Sequence, residues 1–122
     1  SEIVEYKGGP SGCKATTLGV ALEGQASGLQ IDKKHNLITG DFATAAVDII
    51  APPYASITST IAASSPVNVA LSHSDQLIFI DNHPPGDIVV DDYPSGKYVT
   101  TLSYSNGILD AGSVATFPYL NN

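Results

Sequence analysis

No methionine, tryptophan or arginine occurs among these 122 residues, and cysteine occurs once. Each absence removes a class of protein. A lone Cys13 rules out an intrachain disulfide. It stands between Gly12 and Lys14 in an expected turn, with no histidine base indicated beside it, and reads as an incidental thiol. The only strong cations are five lysines, set against twelve acids for a net charge of −7. Neutralising a phosphate backbone takes clustered cationic side chains, so no nucleic acid partner is expected, nor an anionic membrane surface. No apolar run approaches the ~20 residues of a membrane span, so no membrane insertion is expected, and no signal peptide is seen. A chain that opens at Ser1 and lacks methionine is expected to be a processed product or a fragment.

What is present points to β structure. Hydrophobic residues make up 43%, enough to bury a core, while charged residues are only 14% and there are 11 Gly and 8 Pro. Low charge with frequent turn formers and many Val, Ile and Thr suits a turn-rich all-β chain better than a helical one. The same Ser/Thr-rich, weakly charged composition leans towards an extracellular or periplasmic location.

The chain repeats itself. Leu29-Gln30-Ile31-Asp32-Lys33-Lys34-His35-Asn36-Leu37-Ile38-Thr39-Gly40-Asp41 is followed forty positions later by Val69-Ala70-Leu71-Ser72-His73-Ser74-Asp75-Gln76-Leu77-Ile78-Phe79-Ile80-Asp81. A strand-patterned period of that size is the mark of a blade array. The first full unit reads as strands at 28–32, 36–41, 46–51 and 56–62, with Pro52-Pro53 separating the last two because adjacent prolines do not sit inside a central strand. The second reads as strands at 67–72, 76–81, 87–92 and 97–103, with Tyr93-Pro94-Ser95-Gly96 as a turn. An extra residue is expected after Asp81. Ile3 onward and Ala15-Thr16-Thr17-Leu18 echo the third and fourth strands of a unit, and 112–117 reads as a first strand, for eleven in all. The resulting division is 1–25 (end of a blade), 26–65 and 66–106 (full blades) and 107–122 (start of a next blade). The expected fold is all-β: four-stranded antiparallel blades of a β-propeller, just under three of them, in an incomplete ring.

Gly28-Leu29-Gln30-Ile31-Asp32, Asn36-Leu37-Ile38-Thr39-Gly40-Asp41, Gln76-Leu77-Ile78-Phe79-Ile80-Asp81 and Tyr93-Pro94-Ser95-Gly96 together resemble the NHL-type β-propeller repeat. That resemblance implies a ring of about six blades, so the missing blades are expected from the rest of a longer chain or from other copies of this one. It also implies a scaffold, because the repeat names an architecture and not a reaction. The chain departs from RNA-binding relatives in having no arginine. Gluconolactonase-like propellers are similar and hold a divalent cation between carboxylates of several blades, which makes a calcium-dependent hydrolase fragment the alternative and calcium the one conceivable cofactor. A structural subunit of an extracellular assembly is the third reading. On balance the expectation is a chain that is not an enzyme.

In that topology the loop between a unit's second and third strands shares a face with the loop leading into the next unit. Candidate ligand-binding residues there are Asp41, Phe42, Asp81, Asn82 and His83, near Ser64 and Ser65. The competing reading is that an Asp closing strand two caps a backbone turn. His35 and His73 fall at the opposite end as solvated turn residues. Asp87, Asp91 and Asp92 read as solvated edge charges. Gly8-Gly9 is too weak a signal for a phosphate cradle, and no catalytic residue is identified.

Overall fold

The computed structural model describes residues 2–8, 12–107 and 112–116. Ten strands form among them: β1 (Val4–Lys7), β2 (Lys14–Thr17), β3 (Ala26–Ile31), β4 (Leu37–Asp41), β5 (Ala46–Ile50), β6 (Ser59–Ala62), β7 (Pro66–Leu71), β8 (Leu77–Asn82), β9 (Asp87–Asp92) and β10 (Tyr98–Leu102). A 3₁₀ turn spans Tyr104–Asn106. β1 and β2 pair as a hairpin, while β3-β4-β5-β6 and β7-β8-β9-β10 are two antiparallel meanders in chain order. The fold is therefore the expected all-β one, an incomplete propeller-like array of four-stranded blades with no closed ring. We call the two full sheets blade 1 and blade 2.

The strands form because apolar residues occupy both alternating sets of positions in the central strands. Directly paired residues share a face of the sheet. In blade 1 one face carries Ile38, Val47, Ile49 and Ile61, and it packs on Val69, Leu71, Ile78 and Ile80 of blade 2 in one buried cluster. The other face carries Leu37 and Ile50, covered by Ile3, Val20 and Leu22 from the β1–β2 end of the chain. Ile38, Val47, Ile50, Ile78 and Ile80 are fully buried. Each such side chain is worth about 1.5–3 kcal/mol of transfer free energy, and all of them but Ile50 lie in the cluster between the blades.

The innermost strands β3 and β7 lie against each other. Gly28 makes this approach possible. It is the extra residue of a bulge between Ser27 and Leu29 and has φ of +63°, and a Cβ there would stand 2.2 Å from Asn68 Oδ1. Asn68 in turn donates from Nδ2 to Ser113 Oγ at 2.8 Å and to Val114 O at 3.4 Å, and Thr116 Oγ1 donates to Leu71 O. Residues 112–116 thus run beside β7 as a third inner segment, held by side-chain bonds and without strand pairing. The expected eleventh strand is not a ladder strand over these residues; Phe117 and Pro118–Asn122 lie outside the described residues, as do Ser1, 9–11 and 108–111.

The extra residue of the second unit is not after Asp81. The hairpins 42–45 and 83–86 are equal in length. Leu29 pairs with Thr39, whereas Val69 pairs with Ile80, so the insertion falls in the turn between β7 and β8. Asp32 N–H closes the first turn onto Asn36 O, while Ser72 N–H reaches one residue further, to Leu77 O. The Ser72 hydroxyl accepts from Gln76 N and Leu77 N and so stabilises the wider turn. In consequence Asn82, not Asp81, stands where Asp41 stands in blade 1, and Asp81 corresponds to Gly40.

Candidate functional site

The loops expected to share a face do so. Gly24 N donates to Asp41 Oδ2 at 3.1 Å, tying the segment entering blade 1 to the end of β4. Ser65 N donates to Asn82 Oδ1 at 3.0 Å, and His83 N donates to Ser65 O at 2.9 Å, which does the same for blade 2. Asp41 also accepts from Ala43 N at 3.0 Å and Thr44 N at 3.4 Å, so its carboxylate caps the hairpin and fastens the neighbouring loop at once. Gly24 has no room for a side chain: a Cβ would lie 2.0 Å from Asp41 Oδ1 and 2.4 Å from Ala43 Cβ.

The five candidate residues therefore divide. Asp41, Asp81 and Asn82 are buried at 1% exposure or less. Asp41 and Asn82 hold loops, and Asp81 lies on the face of blade 2 turned away from blade 1, in line with Asn68 and Ile88. Phe42 and His83 are exposed at the tips of the two hairpins. The structure brings both hairpins to one end of the molecule. Among the described residues no three of His, Cys, Asp and Glu are grouped so as to hold a metal ion. His35 and His73 are exposed at the opposite end, in the turns after β3 and β7.

That opposite end holds a network the sequence did not announce. Asp32 is 5% exposed and accepts at Oδ1 from Lys34 N (2.9 Å) and Asn36 N (2.8 Å), and at Oδ2 from Asn36 Nδ2 (2.8 Å) and the Tyr93 hydroxyl (2.8 Å). Lys33 N donates to Asp75 Oδ2 at 2.7 Å, a second bond from blade 1 to blade 2. Burial opposes charge on Asp32, but the bonds from Asn36, Tyr93 and the backbone outweigh it and hold the carboxyl below its usual range. Burial, then the bond to Asp32, pushes the Tyr93 phenol well above its usual range. These groups line a cleft of about 380 Å³ between the blades, together with Lys34, Ser74 and Pro94.

Two further strand acids are buried, Asp91 against the expected solvated position and Asp48 likewise. Asp91 is 4% exposed and pairs with Ile78 on the face towards blade 1; burial first, then Asp92, raises its carboxyl. Asp87 and Asp92 are half-buried. Asp48 is 2% exposed in β5, and among the described residues its Oδ2 has no hydrogen-bond partner. Burial, then the charges of Asp41 and Glu23, pushes its carboxyl up to about 6. Period-two alternation about Val47 and Ile49 sets Asp48 on the reverse face, and the Leu37 and Ile50 that share that face were the signal that it is buried too.

No protein-family model matches the sequence, nor does any curated protein. Solved structures do match in shape. Hydrazine synthase of Kuenenia stuttgartiensis superposes with a TM-score of 0.63 at 11% identity over 74% of this chain and 25% of that one. Apo AztD of Citrobacter koseri, a β-propeller protein, superposes with a TM-score of 0.60 at 14% identity over 84% of this chain and 29% of that one. The chain spans between a quarter and a third of the length of either structure. At these identities the likeness is one of fold.

Proposed function

We propose that this chain is a non-catalytic β-propeller scaffold of the NHL-repeat kind, a recognition module that works within a larger ring or an assembly of copies, in an extracellular or periplasmic setting. The observation that supports this most directly is where the polar side chains of the loop face go. Asp41 and Asn82 are occupied with backbone amides of neighbouring loops, so they position the hairpins and are not turned to a substrate. Of the five candidates Phe42 and His83 are the two left exposed at the tips, and an aromatic and an imidazole on rigid hairpins suit contact with a partner surface better than bond cleavage. The weakly charged Ser/Thr-rich composition supports the export reading.

The test is a calcium titration followed by thermal melting, alongside a lactone-hydrolysis assay. The scaffold reading expects no rise in the midpoint at millimolar calcium and no turnover above buffer. A bound ion would raise the midpoint by linkage, and calcium-dependent turnover would replace this reading with the hydrolase one.

A further inference from the structure

Equivalent positions in the two blades are buried very differently. Val69 and Leu71 of β7 are 1% and 6% exposed, sealed against blade 1. Leu29 and Ile31 occupy the same places in β3, pairing with Thr39 and Leu37 as Val69 and Leu71 pair with Ile80 and Ile78. They are 49% and 62% exposed. The β1–β2 end of the chain covers Leu37 and Ile50 but leaves an apolar groove of about 170 Å³ along Leu29, Ile31, Val4 and Leu18.

The inner segments form a series: β3 lies against β7, and β7 against residues 112–116. At the far end of this series, among the described residues, Val114 and Thr116 are half-buried against β7 while Ser113 and Ala115 are exposed. One molecule thus carries an unfilled groove at the start of the series and, at its end, the exposed small side chains of Ser113 and Ala115. The lateral contact that joins the first segment to the second and the second to the third can also join the third of one copy to the first of the next.

We propose that copies of this chain associate head to tail, residues 112–116 of one copy seating beside β3 of the next and covering Leu29 and Ile31. Such a heterologous contact closes into a ring of copies or runs on as an open chain, and the occupant of the groove is a second copy of this chain. The proposal rests on the scaffold reading and deepens it by naming the partner.

Sedimentation analysis of the full chain tests it. The expected mass is a multiple, two or more, of the 12.6 kDa protomer. The double variant Leu29→Asp, Ile31→Asp changes side chains that are already half solvated in the single molecule, so its circular dichroism should match the parent while its mass falls to the protomer value. Ala115→Arg, at the other side of the same contact, should do likewise and decides the matter if the double variant fails to fold. A parent that is monomeric across the concentration series, or folded variants that keep the assembled mass, would overturn the proposal. A folded monomer without turnover sinks only this contact and leaves the scaffold reading standing, whereas calcium-dependent turnover sinks that reading whatever the mass.

Discussion

The Tyr93 hydroxyl donates a 2.8 Å hydrogen bond to Asp32 Oδ2 across 61 positions of sequence, joining the turn after β9 in blade 2 to the turn after β3 in blade 1. The two blades share an apolar cluster, which is non-directional. This bond and its companion from Lys33 N to Asp75 fix how they are aligned. An Asp that caps its own turn and also receives a phenol from the next blade acts both locally and across the fold.

Tyr93→Phe removes that donor and leaves Asp32 Oδ2 with the Asn36 amide alone. A hydrogen bond to a charged group is worth about 1.5–3 kcal/mol, so a loss of about that size is expected. Urea unfolding should show a lower midpoint at unchanged slope. The Asp32 carboxyl is depressed in the folded state, so it contributes stability above its unfolded value that is lost as pH falls through the folded one. Tyr93→Phe should shrink that acid-side loss.

Asp48 acts in the reverse sense. Its carboxyl is raised from 3.8 to about 6, so the folded state holds the proton more tightly than the unfolded one. Stability from this group is present below about pH 4 and is lost as pH rises to about 6, by roughly 2–3 kcal/mol in all. Asp48→Asn removes the buried charge. It should raise the melting midpoint at pH 7.5 and flatten the pH 4–6.5 segment of the stability profile. A variant less stable than the parent at pH 7.5 would show that the carboxylate is balanced by an unrecognised partner.

Asp41→Ala leaves the amides of Gly24, Ala43 and Thr44 without their acceptor, and a cost of about 1–3 kcal/mol follows from one cap lost together with one inter-loop bond. Phe42→Ala and His83→Ala touch exposed tips and should change stability by no more than about 0.5 kcal/mol. Chemical denaturation of the three variants separates the residues that hold the loop face from those that present it.

Gly28→Ala meets both a backbone at φ +63° and Asn68 Oδ1 at 2.2 Å. A loss of about 2 kcal/mol or more is expected from the strained backbone and the forced displacement of β7. Pairing it with Asn68→Ala should recover part of the loss, because the side chain in the way is then gone, and thermal melts of the single and double variants read the coupling.

Much of this was legible in the chain. The forty-residue period, the Pro- and Gly-marked turns and the even spacing of Val47 and Ile49 are local signals, and the meanders they imply are those found. The unit's insertion was misplaced because Asp41 and Asp81 look alike in sequence, while the fold needs only a side-chain oxygen at the hairpin, which Asn82 supplies equally well. Asp91 reads as solvent-facing because an Asp in a strand usually is. Its burial depends on which blade lies across the sheet, and that is not written in the strand itself. The Tyr93–Asp32 bond is likewise a consequence of blade stacking. Tyr93 is predicted as part of a turn, and a turn motif says nothing about where a phenol tip arrives.

The claim on which all of this depends is that the two four-stranded sheets are stacked blades, with the β3 side of blade 1 left open. Methyl-to-methyl nuclear Overhauser contacts in chain labelled at Ile, Leu and Val, under conditions that keep it a single protomer, test it most directly. The structure predicts cross-peaks from Ile38 and Ile49 of blade 1 to Val69, Leu71 and Ile80 of blade 2, with Leu29 and Ile31 giving none to blade 2. Inter-blade peaks absent for Ile38, or present for Leu29 and Ile31, would contradict it.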